Sequence, residues 1–104
     1  MIRHIVFFSA RQGEDVEAVR AGLTALAEIP HSRLFEVSLN TKVDPFSSEI
    51  DVVVYAEFED DAALAAYKAH PDYGRVTERV RPMRELRFSA DIVSTAAAAR
   101  ARCG

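Results

Sequence analysis

Cysteine is almost absent from this chain of 104 residues: the only one is Cys103. A single cysteine allows neither a disulfide within the chain nor a cluster of metal-binding thiolates, and this composition suits a reducing compartment. Glycine is also scarce, and four glycines provide no glycine-rich loop of the kind that binds phosphate groups. We therefore predict a cytoplasmic protein without a disulfide framework or a phosphate-binding loop.

An excess of positive charge is missing as well. Lysine and arginine number 13 against 16 aspartates and glutamates, which gives a formal net charge of -3. No basic surface that would neutralise nucleic-acid phosphates is expected from this balance. The apolar run at residues 1–8 is too short for the hydrophobic region of a secretory signal, and we interpret it as a strand. Neither nucleic acid nor a membrane is expected as a partner.

The chain length allows a single domain with one core. Hydrophobic residues make up 49% and charged residues 28%, which is the balance of a globular protein. We assign residues 1–93 to the domain. Residues 94–104 are rich in alanine and carry no apolar stripe, so we predict a disordered tail there.

Alternation of apolar and polar residues predicts four strands. They are predicted at residues 2–9, 34–41, 51–58 and 84–92. Turn-forming residues predict a loop at 42–50.

Spacings of three and four residues predict the helices between these strands. The first is expected to begin at the N-cap Asp15 and to end before Pro30. The second is expected at residues 62–69, after Asp60 or Asp61 as N-cap, because Pro71 disfavours helical backbone at the residue before it. A short further helical segment is predicted around residues 76–83.

The order strand, helix, strand, strand, helix, strand is typical of an α+β, ferredoxin-like βαββαβ fold, with helices on one face of a four-stranded antiparallel sheet. The opposite face would carry Ile5, Phe7, Val53 and Tyr55, which is too apolar to leave in water. We therefore predict a homodimer, a dimeric α/β barrel in which two sheets pack face to face and bury about 1,200–2,000 Å² in total.

Residues 67–73, Tyr-Lys-Ala-His-Pro-Asp-Tyr, concentrate two phenols and an imidazole at one helix end, in a chain with three histidines. Tyr67 and His70 are three residues apart and are expected on one helical face. An imidazole beside a phenol is sufficient for cofactor-free proton transfer on a carbonyl compound. Alternatively, His70 is structural and interacts with the helix dipole or caps a carbonyl.

The other candidate residues also have two interpretations. His4 shares a strand face with Val6 and Phe8, so it is either a buried, hydrogen-bonded histidine or part of a pocket wall. Tyr67 either packs in the core or donates a hydrogen bond to a substrate, and Tyr73 either covers the helix end or takes part in chemistry. No recognised spacing of ligands indicates a metal site, and no cofactor is predicted.

In four segments the chain resembles the stress-responsive A/B barrel (Dabb) family. They are the first strand at 2–8, the end of the third strand at 57–60, the Tyr-Lys-Ala-His-Pro motif at 67–71, and the close of the last strand at 90–92. The resemblance spans residues 2–93. It implies a dimeric α+β barrel with a pocket between sheet and helices in each subunit, and a link to stress tolerance.

Within that family, the chain is distantly similar to the plant olivetolic acid cyclase, which closes a polyketide chain by aldol condensation. The resemblance matches His4 to a first-strand histidine and Tyr67 to the motif tyrosine of that enzyme. Tyr73 stands where the cyclase has its basic histidine. The third strand, residues 51–58, contains no histidine to match the cyclase's third-strand histidine. Absence of tryptophan further separates the chain from haem-degrading relatives of the same fold.

Three hypotheses follow. The first is a homodimer that binds a small apolar or amphipathic molecule between helices and sheet. The second is a cofactor-independent enzyme, polyketide cyclase-like, in which His4 or His70 moves a proton and Tyr67, with Tyr73, stabilises an oxyanion. The third is a structural dimer whose interior is filled by side chains, including Phe8, Leu23, Leu26 and Phe88.

Overall fold

The computed structural model describes residues 1–95 as a four-stranded sheet with helices packed on one face. The elements are β1 Ile2–Ala10, α1 Val16–Thr24, β2 Leu34–Leu39, β3 Val52–Phe58, α2 Asp61–Ala69, α3 Pro71–Val80 and β4 Arg84–Val93. Short 3-10 turns occupy Ala25–Glu28, Pro45–Ser47 and Arg81–Met83. The strand order is β2-β3-β1-β4, and every neighbouring pair is antiparallel. The predicted α+β, ferredoxin-like βαββαβ arrangement is confirmed.

Helices α1 and α2 begin where short acidic side chains satisfy exposed backbone N–H groups. Asp15 accepts a hydrogen bond from the Glu17 N–H at the start of α1, at 3.1 Å. Asp60, and not Asp61, caps α2 by accepting from the Ala63 N–H at 2.9 Å. Both caps lie where the sequence predicted a helix to begin.

The core lies between the helices and the inward face of the two central strands. Alternate residues of β3 are almost fully buried, as the two-residue period of a strand requires, and so are their partners on β1. The inward residues of these strands are Ile2, His4, Val6, Phe8, Val52, Val54, Ala56 and Phe58. Val19 and Leu23 of α1, Leu64 and Tyr67 of α2, and Val80 of α3 cover them.

The edge strand β4 turns its polar side toward the helices. Its register places Asp91 opposite the inward-facing His4, and Phe88 opposite Phe7 on the outer face of the sheet. Phe88 is consequently 58% exposed. Our expectation that Phe88 helps to close the core is wrong, because alternation fixes which residues share a face but only pairing with β1 decides which face is inward.

Several elements differ from the sequence expectations. α3 begins at Pro71, directly after α2, and is longer than the short segment predicted around 76–83. Proline is well tolerated at the first helical position because no intrahelical hydrogen bond needs its missing N–H. β2 ends at Leu39, and the predicted loop at 42–50 contains a 3-10 turn whose N-cap is Asp44.

The disordered tail was predicted at residues 94–104. Most of it, residues 96–104 including Cys103, lies outside the described residues. Across residues 1–95, every helix is too short or too polar to span a lipid bilayer.

Candidate functional site

A cavity of about 420 Å³ opens between the sheet and helices α1, α2 and α3. This volume lies in the range of about 300–1,000 Å³ that is usual for small-molecule sites. The lining residues are His4, Val6, Phe8, Leu23, Leu26, Val54, Tyr67, Lys68, Tyr73, Thr77, Val80, Arg81, Arg84 and Arg87. Phe8, Leu23 and Leu26 therefore border open space, and the third hypothesis of an interior filled by side chains loses support.

His4 projects from β1 into the cavity wall, held by a carboxylate from the neighbouring strand. Its Nδ1 lies 2.5 Å from Oδ1 of Asp91, and its side chain is 2% exposed against 40% for Asp91. An ionised carboxylate only accepts hydrogen bonds, so Nδ1 carries the proton. This leaves Nε2 as the ring nitrogen available to a molecule in the cavity.

Tyr67 is the central aromatic side chain of the site and is 1% exposed. Its ring centroid lies 5.1 Å from Phe58, 5.2 Å from Tyr73 and 6.2 Å from His4. Burial raises the pKa of the Tyr67 phenol; Tyr73 raises it further and Arg87 acts in the opposite direction. The phenol is therefore protonated at neutral pH and has a proton that it can donate to a ligand.

The structure separates His70 from the other predicted site residues. His70 ends α2 and caps α3, where its Nδ1 accepts a hydrogen bond from the Asp72 N–H at 3.0 Å. It is absent from the cavity wall, and its ring instead lies 6.4 Å from that of His31. The sequence placed Tyr67 and His70 on one helical face, but the backbone leaves the α region at His70 and redirects the imidazole.

Tyr73 lies on the first turn of α3 and lines the cavity, edge-on to Tyr67. Of the four candidate residues, the structure thus brings together His4, Tyr67 and Tyr73. Tyr73 is the third residue of α3, which starts directly after α2 at Pro71.

Sequence reasoning missed the charged residues of the site: Asp91 and the cations Lys68, Arg81, Arg84 and Arg87. The polar stripe of β4, with Arg87 and Asp91 on one side, was visible in the sequence. The sequence did not show which side of β4 faces the helices. Pairing of β4 with β1 turns the polar stripe inward. Within the described residues, no three His, Cys, Asp or Glu side chains converge as a metal site would require.

A four-stranded ferredoxin-like sheet with a cavity under its helices defines a small α+β domain. The chain belongs to the Stress responsive A/B Barrel Domain (Dabb) family, whose profile matches residues 2–94. Among curated protein sequences, none is similar enough to match.

Solved structures support the same assignment. A Dabb family protein with a ferredoxin-like fold from Mesorhizobium loti is 26% identical, with a TM-score of 0.74 over 91% of this chain and 97% of that one. A dimeric ferredoxin-like protein of unknown function from Thermobifida fusca is 25% identical, with a TM-score of 0.75 over 89% of this chain and 90% of that one. A protein of Arabidopsis thaliana gives a TM-score of 0.80 over 95% of this chain and 100% of that one, and at 17% identity it shows the shared fold alone.

Proposed function

We propose that this chain forms a cytoplasmic homodimer that binds a small apolar or amphipathic molecule in the cavity between helices and sheet. The observation that carries the proposal is the cavity itself, which combines buried apolar side chains with hydrogen-bonding and charged groups on its wall. A concave site that offers both is the usual setting for a small-molecule ligand. The family description as stress-responsive supports a role in a stress response as part of the same proposal.

The outer sheet face supports the homodimer. It carries apolar side chains from three adjacent strands, namely Ile5, Phe7, Val53, Tyr55, Phe88 and Ile92. A patch of this kind usually marks an interface. The Thermobifida fusca relative is described as dimeric, which favours the same assembly here.

The test is calorimetric titration with octan-1-ol and with octanoate, on the native chain and on a variant whose cavity is filled. Thr77 lines the cavity from α3, and its hydroxyl donates only to backbone carbonyls of its own helix, Tyr73 and Gly74. Thr77→Phe should abolish binding of both molecules because the larger ring occupies their space. Thr77→Val keeps the volume and should retain binding. If the native chain binds neither molecule at millimolar concentration, the proposal is contradicted.

As a second candidate function, we propose cofactor-independent proton transfer on a carbonyl compound, favoured by the His4–Asp91 pair beside Tyr67. With Nδ1 of His4 donating to Asp91, Nε2 would take a proton from the carbon next to a carbonyl. The electron pair moves onto the carbonyl oxygen, where the protonated Tyr67 phenol donates a hydrogen bond. Return of the proton from Nε2 to carbon or oxygen completes the step.

Deuterium exchange at the α-carbon of an acetoacetyl thioester in D₂O, followed by NMR, tests this second function. The native chain should exchange faster than buffer, and Tyr67→Phe should slow exchange by about tenfold or more while leaving the melting temperature nearly unchanged. Tyr55→Phe, on the opposite face of the sheet, is the matched control and should exchange normally. Exchange no faster than buffer removes the enzymatic candidate, and equal rates for Tyr67→Phe remove that residue from the mechanism.

A further inference from the structure

The cavity mouth concentrates positive charge in a chain that is acidic as a whole. Lys68, Arg81, Arg84 and Arg87 all border the cavity, and no aspartate or glutamate is among its lining residues within 1–95. The formal charge of the whole chain is -3, so this excess of cations is local. Such a local field attracts and retains anions.

Most of these cations are not neutralised by neighbouring carboxylates. Arg81 lies 3.2 Å from Glu78 one helical turn away, and both side chains are well exposed, so this ion pair is weak. Lys68, Arg84 and Arg87 make no ion pair with any residue of the described part of the chain. Their charge is therefore available to a ligand.

The interior of the cavity has the opposite character. Val6, Leu23, Val54 and Val80 line it and are almost fully buried, so they present hydrocarbon to whatever enters. The Tyr67 phenol, which also lines the cavity, is a donor that suits an anion. The polarity thus changes along the cavity, from an apolar floor to a cationic rim.

We infer that the ligand is an amphipathic carboxylate, with an aliphatic or aromatic body against the floor and its anionic group at Arg84 and Arg87. The inference rests on the proposed binding function and specifies its ligand class. Arginine presents a fork of N–H donors that matches the two oxygens of a carboxylate. A neutral molecule of the same shape would fill the floor but leave the arginines without a partner.

The experiment compares octanoate with octan-1-ol, which share a chain length and differ in charge, by titration calorimetry. Octanoate should bind the native chain about tenfold more tightly or better, because only the anion forms charge-assisted hydrogen bonds. In the Arg84→Gln/Arg87→Gln variant this preference should disappear while octan-1-ol binds as before. Raising the salt concentration should weaken octanoate binding in the native chain and leave octan-1-ol binding unchanged.

Arg75→Gln/Arg79→Gln is the matched control. This variant also loses two positive charges, but from residues of α3 that lie outside the cavity. It should keep the preference for octanoate. Circular dichroism and thermal melting verify that both double variants are folded. Equal affinities for the two molecules in the native chain, or an unchanged preference in Arg84→Gln/Arg87→Gln, would overturn the carboxylate inference while the binding proposal stands. If neither octanoate nor octan-1-ol binds the native chain, both the carboxylate inference and the binding proposal are overturned.

Discussion

His4 on β1 and Asp91 on β4 are direct cross-strand partners, and their side chains meet on the inward face of the sheet with Nδ1 and Oδ1 2.5 Å apart. The imidazole is buried, whereas the carboxylate reaches it from an exposed edge strand. Asp91 therefore satisfies a polar group that would otherwise be costly to bury, and it fixes which ring nitrogen remains for a ligand.

Removing this carboxylate should destabilise the fold. Asp91→Ala leaves the Nδ1–H of His4 buried without its acceptor, and the cost of such a donor is about 1–3 kcal/mol. Urea denaturation followed by circular dichroism, at one fixed protein concentration because a dimer's stability depends on it, measures the change.

Glu85→Ala is the control on the same strand. Glu85 pairs with Arg11 at 3.5 Å, with both side chains mostly exposed, and loss of such a surface pair should change stability by less than about 0.5 kcal/mol. A result in which both substitutions have the same small effect would show that Asp91 does not support His4.

Tyr67 should make the protein sensitive to alkali. Its pKa is raised in the folded state by burial, while the unfolded chain has the ordinary tyrosine value of about 10. The stability from this group is fully present below the unfolded pKa and is lost as the pH rises toward the folded pKa, because only the unfolded chain releases the proton there. Between pH 8 and pH 11, Tyr67→Phe should therefore lose less free energy of unfolding than the native chain.

Tyr55→Phe serves as the comparison for this titration. The pKa of Tyr55 is also raised, first by its hydrogen bond to Glu57, but the side chain lies on the outer face of the sheet, away from the cavity. Its substitution should leave most of the alkaline loss in place. If Tyr67→Phe and the native chain lose equal free energy of unfolding between pH 8 and pH 11, the buried phenol is not the cause of the alkaline destabilisation.

The outer sheet face should prove to be the dimer interface. Phe88→Glu places a charge within the apolar patch, opposite Phe7, where a second copy would have to bury it unpaired. Sedimentation equilibrium at micromolar concentration should give a dimer mass for the native chain and a monomer mass for this variant.

Leu39→Glu is its control because the side chain is similarly exposed, at 48% against 58%, but lies on the helix side of the edge strand β2. It should remain dimeric. A native chain that sediments as a monomer, or a Phe88→Glu variant that sediments as a dimer, contradicts the proposed interface.

Local signals were sufficient for the elements and for the assignment of the family. Neighbouring residues alone indicate the helix caps at Asp15 and Asp60 and the alternation of β1 and β3. The structure has these caps and strands where the sequence predicted them. Prediction failed where a residue's role depended on contacts between distant segments. The apolar stripe of β4 illustrates this: alternation placed Phe88 and Ile92 on one face, but only pairing with β1 turned that face outward.

By itself the sequence determined the order of elements, their approximate bounds and the amphipathic faces, because these follow from backbone preferences and periodicity over a few residues. Only the tertiary structure decided that the stripe with Arg87 and Asp91 faces inward, and hence that Asp91 holds His4 and that Arg87 borders the cavity. Arg84 also borders it, beyond the register shift between Phe8 and Ala10. The physical reason is that a strand's two faces are equivalent until hydrogen bonding with a neighbour fixes the register, and for Asp91 that neighbour, His4, lies 87 residues away in sequence.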